Sequence, residues 1–292
     1  MSVLESNAVE VVSAQAMERE HQPEELVIRN VRGWIGIDWA EIFRFRELLL
    51  FLVWRDLKVR YKQTVLGVAW AVIQPLFNTL VFVMLDRMAD ISSEGYVRSL
   101  YIYAGVLPFT FFQTGVNLAG LSLVNQSHLL TKVYFPRLFV PTASVGATIV
   151  DMAISFCMFG VLMAGFRFIP NWQIVFLPLL LIPTIMATLG MAYLLSSLTV
   201  SYRDFRYVIP FMLQSWMFLS PVMYPVARVP LKYQWLFALN PMAGIIDGFR
   251  SCIFGKPWNF MMLGISTTVA VVMFLFGLFY FRRTERRFAD IA

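Results

Sequence analysis

The sequence has 292 residues, of which 59% are hydrophobic and only 14% are charged, and its mean hydropathy is +0.67. A soluble domain carries about 25% charged residues, so one water-soluble core cannot bury all the apolar side chains of this chain. The composition therefore predicts a membrane protein with lipid around much of its surface. The net charge is +6, but the basic residues flank apolar runs, which favours anionic lipid over nucleic acid as their partner.

The motifs of several enzyme and cofactor classes are missing from this sequence. Cys157 and Cys252 lie in different apolar segments, and the chain has only two histidines, His21 and His128, so neither a disulfide framework nor a metal site is predicted. Gly255-Lys256 precedes a proline and lacks the upstream glycine of a phosphate-binding loop. We therefore expect no cofactor in this chain and an energy source, if one is needed, in another chain.

The start of the chain predicts two segments outside the bilayer core. Residues 1–37 are polar and begin with acidic side chains, so we expect a loose cytoplasmic tail and no cleavable signal peptide. Residues 38–62 predict an amphipathic interfacial helix, because the apolar run Leu48–Trp54 is well short of the ~20 residues that a span needs. On a helical projection, five of its charged residues fall within about 80°: Arg44, Glu47, Arg55, Lys58 and Lys62. A short buried helix is the alternative.

Residues 63–292 are interpreted as an all-α transmembrane domain. Six runs are long and apolar enough to cross a bilayer: Gln63–Leu85, Leu100–Val124, Leu138–Phe166, Phe168–Tyr202, Tyr207–Ala227 and Trp258–Phe281. Between the last two runs, Tyr233–Leu239 and Met242–Phe254 are apolar but short, and Asn240-Pro241 separates them. Two half-length helices around such a turn predict a re-entrant hairpin.

Basic residues set the predicted orientation. If both termini are cytoplasmic, twelve basic residues flank the spans on the inner side and seven on the outer side. The polar island Asn125–Arg137, between the second and third spans, is then cytoplasmic, and the hairpin enters from outside. The island is either a solvated turn or a docking site for a cytoplasmic partner.

Asp151 is the one charged residue within the six predicted spans. Such an acid is either a proton relay or the partner of a neighbouring donor. A relay would make the protein an ion-coupled flippase. A membrane transferase would need a catalytic acid or histidine that faces a cleft, and the sequence offers none that is evident.

Several segments resemble permeases of ABC polysaccharide exporters, whose members export O-antigen, capsule and teichoic acid. These segments follow the family's order along the chain: Arg55–Gly67, Lys132–Arg137, Tyr202–Phe205, Ser220–Tyr224 and Asn240–Met242. The resemblance extends from Phe45 to the C-terminus and so is more specific than any single motif.

The resemblance implies an ABC-2 type fold with six spans, the interfacial helix, a cytoplasmic coupling helix between spans two and three, and the re-entrant outer hairpin. Two copies would pair, and two ATP-binding cassette subunits beneath them would supply ATP and Mg²⁺. The polar island would then transmit the motion of the ATPase. The residues expected at this contact are Ser127, His128, Leu129, Leu130, Thr131, Lys132, Tyr134 and Arg137.

The resemblance also implies a substrate, a lipid-linked polysaccharide such as O-antigen, and a pore along the dimer seam formed by the first and fifth spans. Aromatic rings present apolar faces to the C–H groups of sugars, and the candidates are Trp70, Phe77, Phe109, Phe112, Trp216 and Tyr224. Arg55, Arg60 and Lys62 either meet the lipid pyrophosphate or anchor the chain to anionic headgroups. An exporter of a small lipid or drug is the alternative within the ABC class.

Overall fold

The structure is a computed structural model that describes residues 43–62, 67–88, 96–126 and 135–285. Within these ranges the secondary structure is helical, without strands. Several sequence predictions fall outside the described residues: the tail 1–37, the first residues of the interfacial helix, residues 63–66 of the first span, and the coupling segment 127–134.

The described residues form the following α-helices in chain order: α1 (Arg46–Tyr61), α2 (Trp70–Met88), α3 (Arg98–Asn125), α4 (Phe139–Gly165), α5 (Leu177–Ser201), α6 (Phe205–Leu219), α7 (Leu231–Phe237), α8 (Pro241–Phe254) and α9 (Phe260–Glu285). Short 3₁₀ turns precede α2 at Gly67–Ala69 and α5 at Trp172–Phe176, and a third lies at Val226–Arg228.

Four of these helices are long and apolar enough to cross a membrane: α3, α4, α9, and α5 together with its preceding 3₁₀ turn. They correspond to the second, third, sixth and fourth predicted spans. The chain is therefore an all-α, multi-pass membrane protein, as the apolar runs predict.

The first and fifth predicted spans are shorter than expected. α2 has an apolar part of only Trp70–Leu85. α6 has 15 residues and ends at Leu219, although the apolar run continues to Ala227. At ~1.5 Å per residue α6 reaches about 22 Å, against a hydrocarbon core of about 30 Å. Six crossings therefore remain a prediction, whereas helix length supports four.

Helix α3 lies at the centre of the fold. It packs against α2, α4, α5, α6 and α8, and most of its residues are buried. Tyr103 of α3 stacks on Phe159 of α4 with ring centroids 5.2 Å apart. α3 therefore connects the two short predicted spans, α2 and α6, to the rest of the helix bundle.

Helices α5 and α9 form the most extensive pair among the described elements. Their contact is close because glycines meet: a Cβ at Gly277 would lie 2.0 Å from the carbonyl oxygen of Gly190. Small residues allow membrane helices to approach closely, since packing rather than water exclusion drives their association.

Helices α7 and α8 occupy the predicted hairpin and are separated at Asn240-Pro241, as the sequence predicts. The Asn240 side chain accepts a hydrogen bond from the Met242 backbone N–H at 3.0 Å and thereby caps α8. Every residue of α8 is buried, and the N–H of Asn171 donates to the carbonyl of Ile253 at 3.1 Å. The second half of the hairpin is thus enclosed by protein.

Helix α1 packs along α4, with Val53 against Gly146 and Leu52 buried. Its apolar and charged residues are separated less cleanly than the charge pattern predicts. Phe51 lies within the sector of the charges and Trp54 at its edge, and both are exposed. The Lys58 ammonium is 5.5 Å from the Trp54 ring centroid. Rings and basic heads on one face still suit a membrane interface.

The α5–α9 contact generates a stability prediction. In Gly277→Ala the added Cβ would meet the Gly190 carbonyl, so the helices must separate, at a cost of about 1–3 kcal/mol. We expect a lower midpoint in thermal unfolding of the detergent-purified protein. Gly264→Ala is the matched control on the same helix, because a Cβ there has no atom within 4 Å. Equal midpoints for the two variants would contradict the close contact.

Candidate functional site

Two adjoining cavities lie between α1, α2, α3 and α4, with volumes of about 350 and 440 Å³. Arg60 and Leu118 line both. The first cavity is mainly apolar but contains polar or charged groups from four helices, namely Arg60, Tyr61, Gln74, Thr110, Thr114, Thr148, Asp151 and Ser155. The second is lined by the polar and charged residues Arg55, Asp56, Arg60, Ser122, Asn125, Gln126 and Ser144, beside Val59 and Leu118.

The Asp151 carboxylate accepts hydrogen bonds from Arg60 and from the Tyr61 hydroxyl. Burial and the Asp151 hydrogen bond raise the pKa of Tyr61 to about 12, so this hydroxyl keeps its proton and acts as a donor. Asp151 therefore pairs with neighbouring donors, which confirms that reading of the residue. These contacts join the end of α1 to the middle of α4.

A second polar group joins the preceding turn of α1 to α3 and α4. Arg55 donates to the Asp56 carboxylate at 2.7 Å and also to the Gln126 side chain. The other oxygen of Asp56 accepts from the Ser144 hydroxyl at 3.1 Å. Arg55 and Arg60 therefore each have a carboxylate partner within the chain.

The three candidates for pyrophosphate binding differ in their surroundings. Arg55 and Arg60 line the second cavity and hold Asp56 and Asp151. Lys62 follows α1 and is exposed. Of these three cations, Lys62 is exposed to an incoming anion. Arg55 and Arg60 could bind the anion only by giving up their present carboxylate partners.

The six aromatic candidates divide by burial. Trp70 and Phe77 are exposed on α2, seven residues apart, and Trp216 and Tyr224 are half-buried. The Trp216 indole packs edge-on against Phe112 and donates to the Asn240 side chain at 2.9 Å. Phe109 and Phe112 on α3, by contrast, are buried in the core of the fold. Their rings pack against protein and offer no surface to a pore.

Sequence reasoning missed the amide side chains within the spans. Gln74 on α2 and Gln214 on α6 are exposed, and Asn78 and Asn117 are half-buried. An amide moved into a hydrocarbon without a partner costs roughly 2–7 kcal/mol, so these positions identify faces unsuited to lipid. Scanning the apolar runs for Asn and Gln would have found them.

Of the predicted coupling residues, only Arg137 is described. Its guanidinium donates to the backbone carbonyl of Glu285 at the end of α9, at 2.8 Å. The other seven, Ser127, His128, Leu129, Leu130, Thr131, Lys132 and Tyr134, lie outside the described residues. In the part of the chain that the structure describes, His, Cys, Asp and Glu side chains form no group that could hold a metal ion.

The membrane-length helices define a multi-pass membrane protein, and comparison with known proteins gives the family. Residues 47–254 match the family described as "ABC-2 type transporter". Because this match covers more than half of the sequence, the chain belongs to that family.

Individual relatives align over most of both chains. The chain is 28% identical over 219 residues to the "O-antigen export system permease protein RfbA" of Myxococcus xanthus, covering 73% of this chain and 83% of the relative. It is 23% identical over 247 residues to the protein of the same name in Klebsiella pneumoniae, covering 84% and 95%. A third relative, the "Polysialic acid transport protein KpsM" of Escherichia coli, is 24% identical over 247 residues, covering 81% and 92%.

The Arg60–Asp151 pair generates a prediction on stability. Asp151→Ala leaves Arg60 without this partner, and since the pair is partly exposed we expect a loss near the lower end of the roughly 3–5 kcal/mol typical of buried pairs. The double variant Arg60→Met with Asp151→Leu removes both charges, so its free energy of unfolding should fall by less than that of Asp151→Ala. Chemical denaturation in mild detergent measures both. A double variant less stable than the single one would contradict the pairing argument.

Proposed function

We propose that this chain is the membrane-spanning subunit of an ATP-driven exporter that moves a lipid-linked polysaccharide, such as O-antigen, across the cytoplasmic membrane. The family match supports the transporter class. The relatives named for O-antigen export, polysialic acid transport and capsule polysaccharide export support the substrate class. ATP hydrolysis belongs to two separate ATP-binding cassette subunits, which bind ATP and Mg²⁺.

The proposed topology has six crossings and both termini in the cytoplasm. α2 and α6 cross as the first and fifth spans, and α7 and α8 form a hairpin that enters from the outside and returns. Two contacts support the hairpin: its turn at Asn240 meets the end of α6 through the Leu219 carbonyl at 3.2 Å, and its far end meets the loop before α5 at Asn171. The Ser266 hydroxyl of α9 donates to the Asn240 carbonyl of the turn. Ser266 is six residues from the start of α9, so the turn lies about 9 Å along the axis of α9 from its first residue.

One observation carries the proposed pathway: the exposed face of α2 combines aromatic rings with an amide. Trp70, Gln74 and Phe77 recur at helical spacing and are all exposed in the single chain. Rings can stack on the C–H faces of sugars, and an amide can both donate to and accept from hydroxyls. Lipid would solvate the rings but not the amide, so this face is better suited to a hydrated sugar chain.

Helix α6 has a comparable exposed face. Tyr207, Phe211 and Phe218 are exposed, and Gln214 lies between them on the same helix. α2 and α6 both pack on α3. We expect a single bundle of six helices to leave no natural passage for a glycan. We therefore place the pathway between two copies of the chain, with α2 and α6 of each copy at the seam.

Entry of the substrate would begin at α1. Lys58 and Lys62 are exposed there and can attract an anionic lipid headgroup at the inner leaflet. Arg55 and Arg60 lie beside the cavities, and a pyrophosphate could replace Asp56 or Asp151 as their partner because it carries more negative charge than a carboxylate.

Coupling to the ATPase would use the segment Ser127–Arg137. It follows α3, the central helix, and precedes α4, and Arg137 is tied to the end of α9. A force on this segment would thus reach three membrane helices directly.

The pathway proposal predicts the effect of variants on α2. Trp70→Ala and Gln74→Leu should each lower polysaccharide export about threefold to tenfold, the range expected when 0.5–1.5 kcal/mol of ring or hydrogen-bond interaction is lost. Export is measured as surface polysaccharide in cells that co-express the ATPase, with permease amount and ATPase co-purification as controls.

A matched pair sharpens this experiment. Phe77 on α2 and Phe276 on α9 are similarly exposed, at 62% and 54%, but only Phe77 lies on the proposed seam. Phe77→Ala should lower export, whereas Phe276→Ala should not. Equal effects, or faster export by Gln74→Leu, would identify the α2 face as a lipid contact instead.

The coupling proposal makes a separate prediction. Replacing His128, Thr131 and Lys132 together with alanine should weaken co-purification of the ATPase subunit at least about fivefold, since polar contacts at such an interface are worth over ~1 kcal/mol together. The permease should still reach the membrane in normal amount. Undiminished ATPase binding together with undiminished export would exclude this segment as the docking site.

A further inference from the structure

Arg250 is the largest fully buried side chain of the described residues, with an exposed fraction of 0%, and it lies on the hairpin helix α8. Three of its hydrogen bonds go to one short segment just after α6. It donates to the carbonyls of Pro221 at 2.7 Å, Val222 at 2.7 Å and Tyr224 at 3.1 Å.

A second set of contacts ties Arg250 to α3. Its Nε donates to the Tyr101 carbonyl at 3.3 Å, and the guanidinium carbon lies 4.1 Å from the centroid of the Tyr101 ring. Gly105, one turn further along α3, makes room for the guanidinium, because a Cβ there would be 2.6 Å from Nη2. Arg250 therefore stands where α3, α8 and the end of α6 meet.

The segment 221–224 needs such a partner. α6 ends at Leu219, so no N–H group of a following helical turn donates a hydrogen bond to the carbonyls beyond it. At membrane depth water is scarce, and each unsatisfied carbonyl would destabilise the fold. The planar guanidinium carries several N–H groups in a fixed fork and can serve three carbonyls at once, whereas a lysine ammonium is a point donor.

We propose that Arg250 is a positioning residue for export: it fixes the non-helical segment 221–224 to the hairpin and to α3, so that α6 and the hairpin move together at the outer end of the pathway. The role in export rests on the proposed function. The contacts of Arg250 with α3 and with segment 221–224, which we call the junction, do not rest on it. Loss of the fork would free segment 221–224 while leaving the cytoplasmic half of the protein, and hence ATPase binding, in place.

Two variants break the junction in different ways. Arg250→Lys keeps the charge but loses the fork, and Gly105→Ala keeps the arginine but places a methyl group against it. Gly160→Ala is the control glycine substitution in a membrane helix, since a Cβ there has no atom within 4 Å. All three are made in the full chain, co-expressed with its ATPase, with Cys157→Ser and Cys252→Ala in the background.

The first readout is local opening, measured with N-ethylmaleimide at Val222→Cys, a position that is fully buried. Arg250→Lys and Gly105→Ala should raise the labelling rate about tenfold, the change expected from loss of one charged hydrogen bond, while Gly160→Ala should not. Ala187→Cys, which is fully buried in α5, reports on global loosening and should stay protected in every variant. Unchanged labelling at position 222, or an equal rise at position 187, would overturn the junction.

The second readout separates positioning from folding. In both junction variants the complex should assemble and hydrolyse ATP at the unmodified rate, but polysaccharide export should fall about tenfold for the same reason. Normal export by a variant whose position 222 has opened would overturn the role in export. Because labelling needs no substrate, the junction can be established even if the exported molecule proves to be something else.

Discussion

Inside a bilayer a polar group has no water to bind, so each one must find its partner within the protein. Within a helix the backbone groups bond to one another, so side-chain partners are needed mainly where the helices are broken. At the hairpin turn, the Asn240 side chain accepts from the Trp216 indole and the Met242 N–H, and it donates to the Ser220 hydroxyl at 2.8 Å. Ser266 completes the turn: it donates to the Ala238 carbonyl at 2.9 Å and accepts from the Gly244 N–H at 3.0 Å.

The same constraint explains why proline is a poor guide to where these helices end. Prolines 75, 108, 183 and 210 all lie inside helices, whereas the helix before Pro221 stops at Leu219. Proline removes one backbone donor in every case, and membrane helices tolerate this when neighbours compensate. What differs at Pro221 is that Arg250, 29 residues further on, binds the carbonyls of the unwound chain. A local reading of the run Tyr207–Ala227 cannot contain that information.

Local signals nevertheless predicted much of the fold. Long apolar runs, one of which contains Asp151, predicted the four membrane-length helices almost to their ends, because a bilayer imposes one length and one solvent on every span. The Asn-Pro turn placed the break between α7 and α8 correctly, since asparagine caps a helix and proline suits its first turn. The residues of the candidate site could be named from the sequence, but their pairing could not. Arg60 and Asp151 are 91 positions apart, and only the packing of α1 on α4 brings them together.

The shortness of α6 and the burial of α8 can be understood together. If α6 crosses the bilayer as proposed, its length of about 22 Å leaves roughly 8 Å of the hydrocarbon core uncovered, and in this fold the non-helical segment 220–225 follows its end. α8 carries Asp247 and Arg250, which lipid could not solvate, and both side chains lie within the protein among α3, α5 and α9. A buried arginine on α8 therefore suits a helix that ends at Leu219, because the backbone carbonyls beyond that end need a strong donor that an apolar side chain cannot provide.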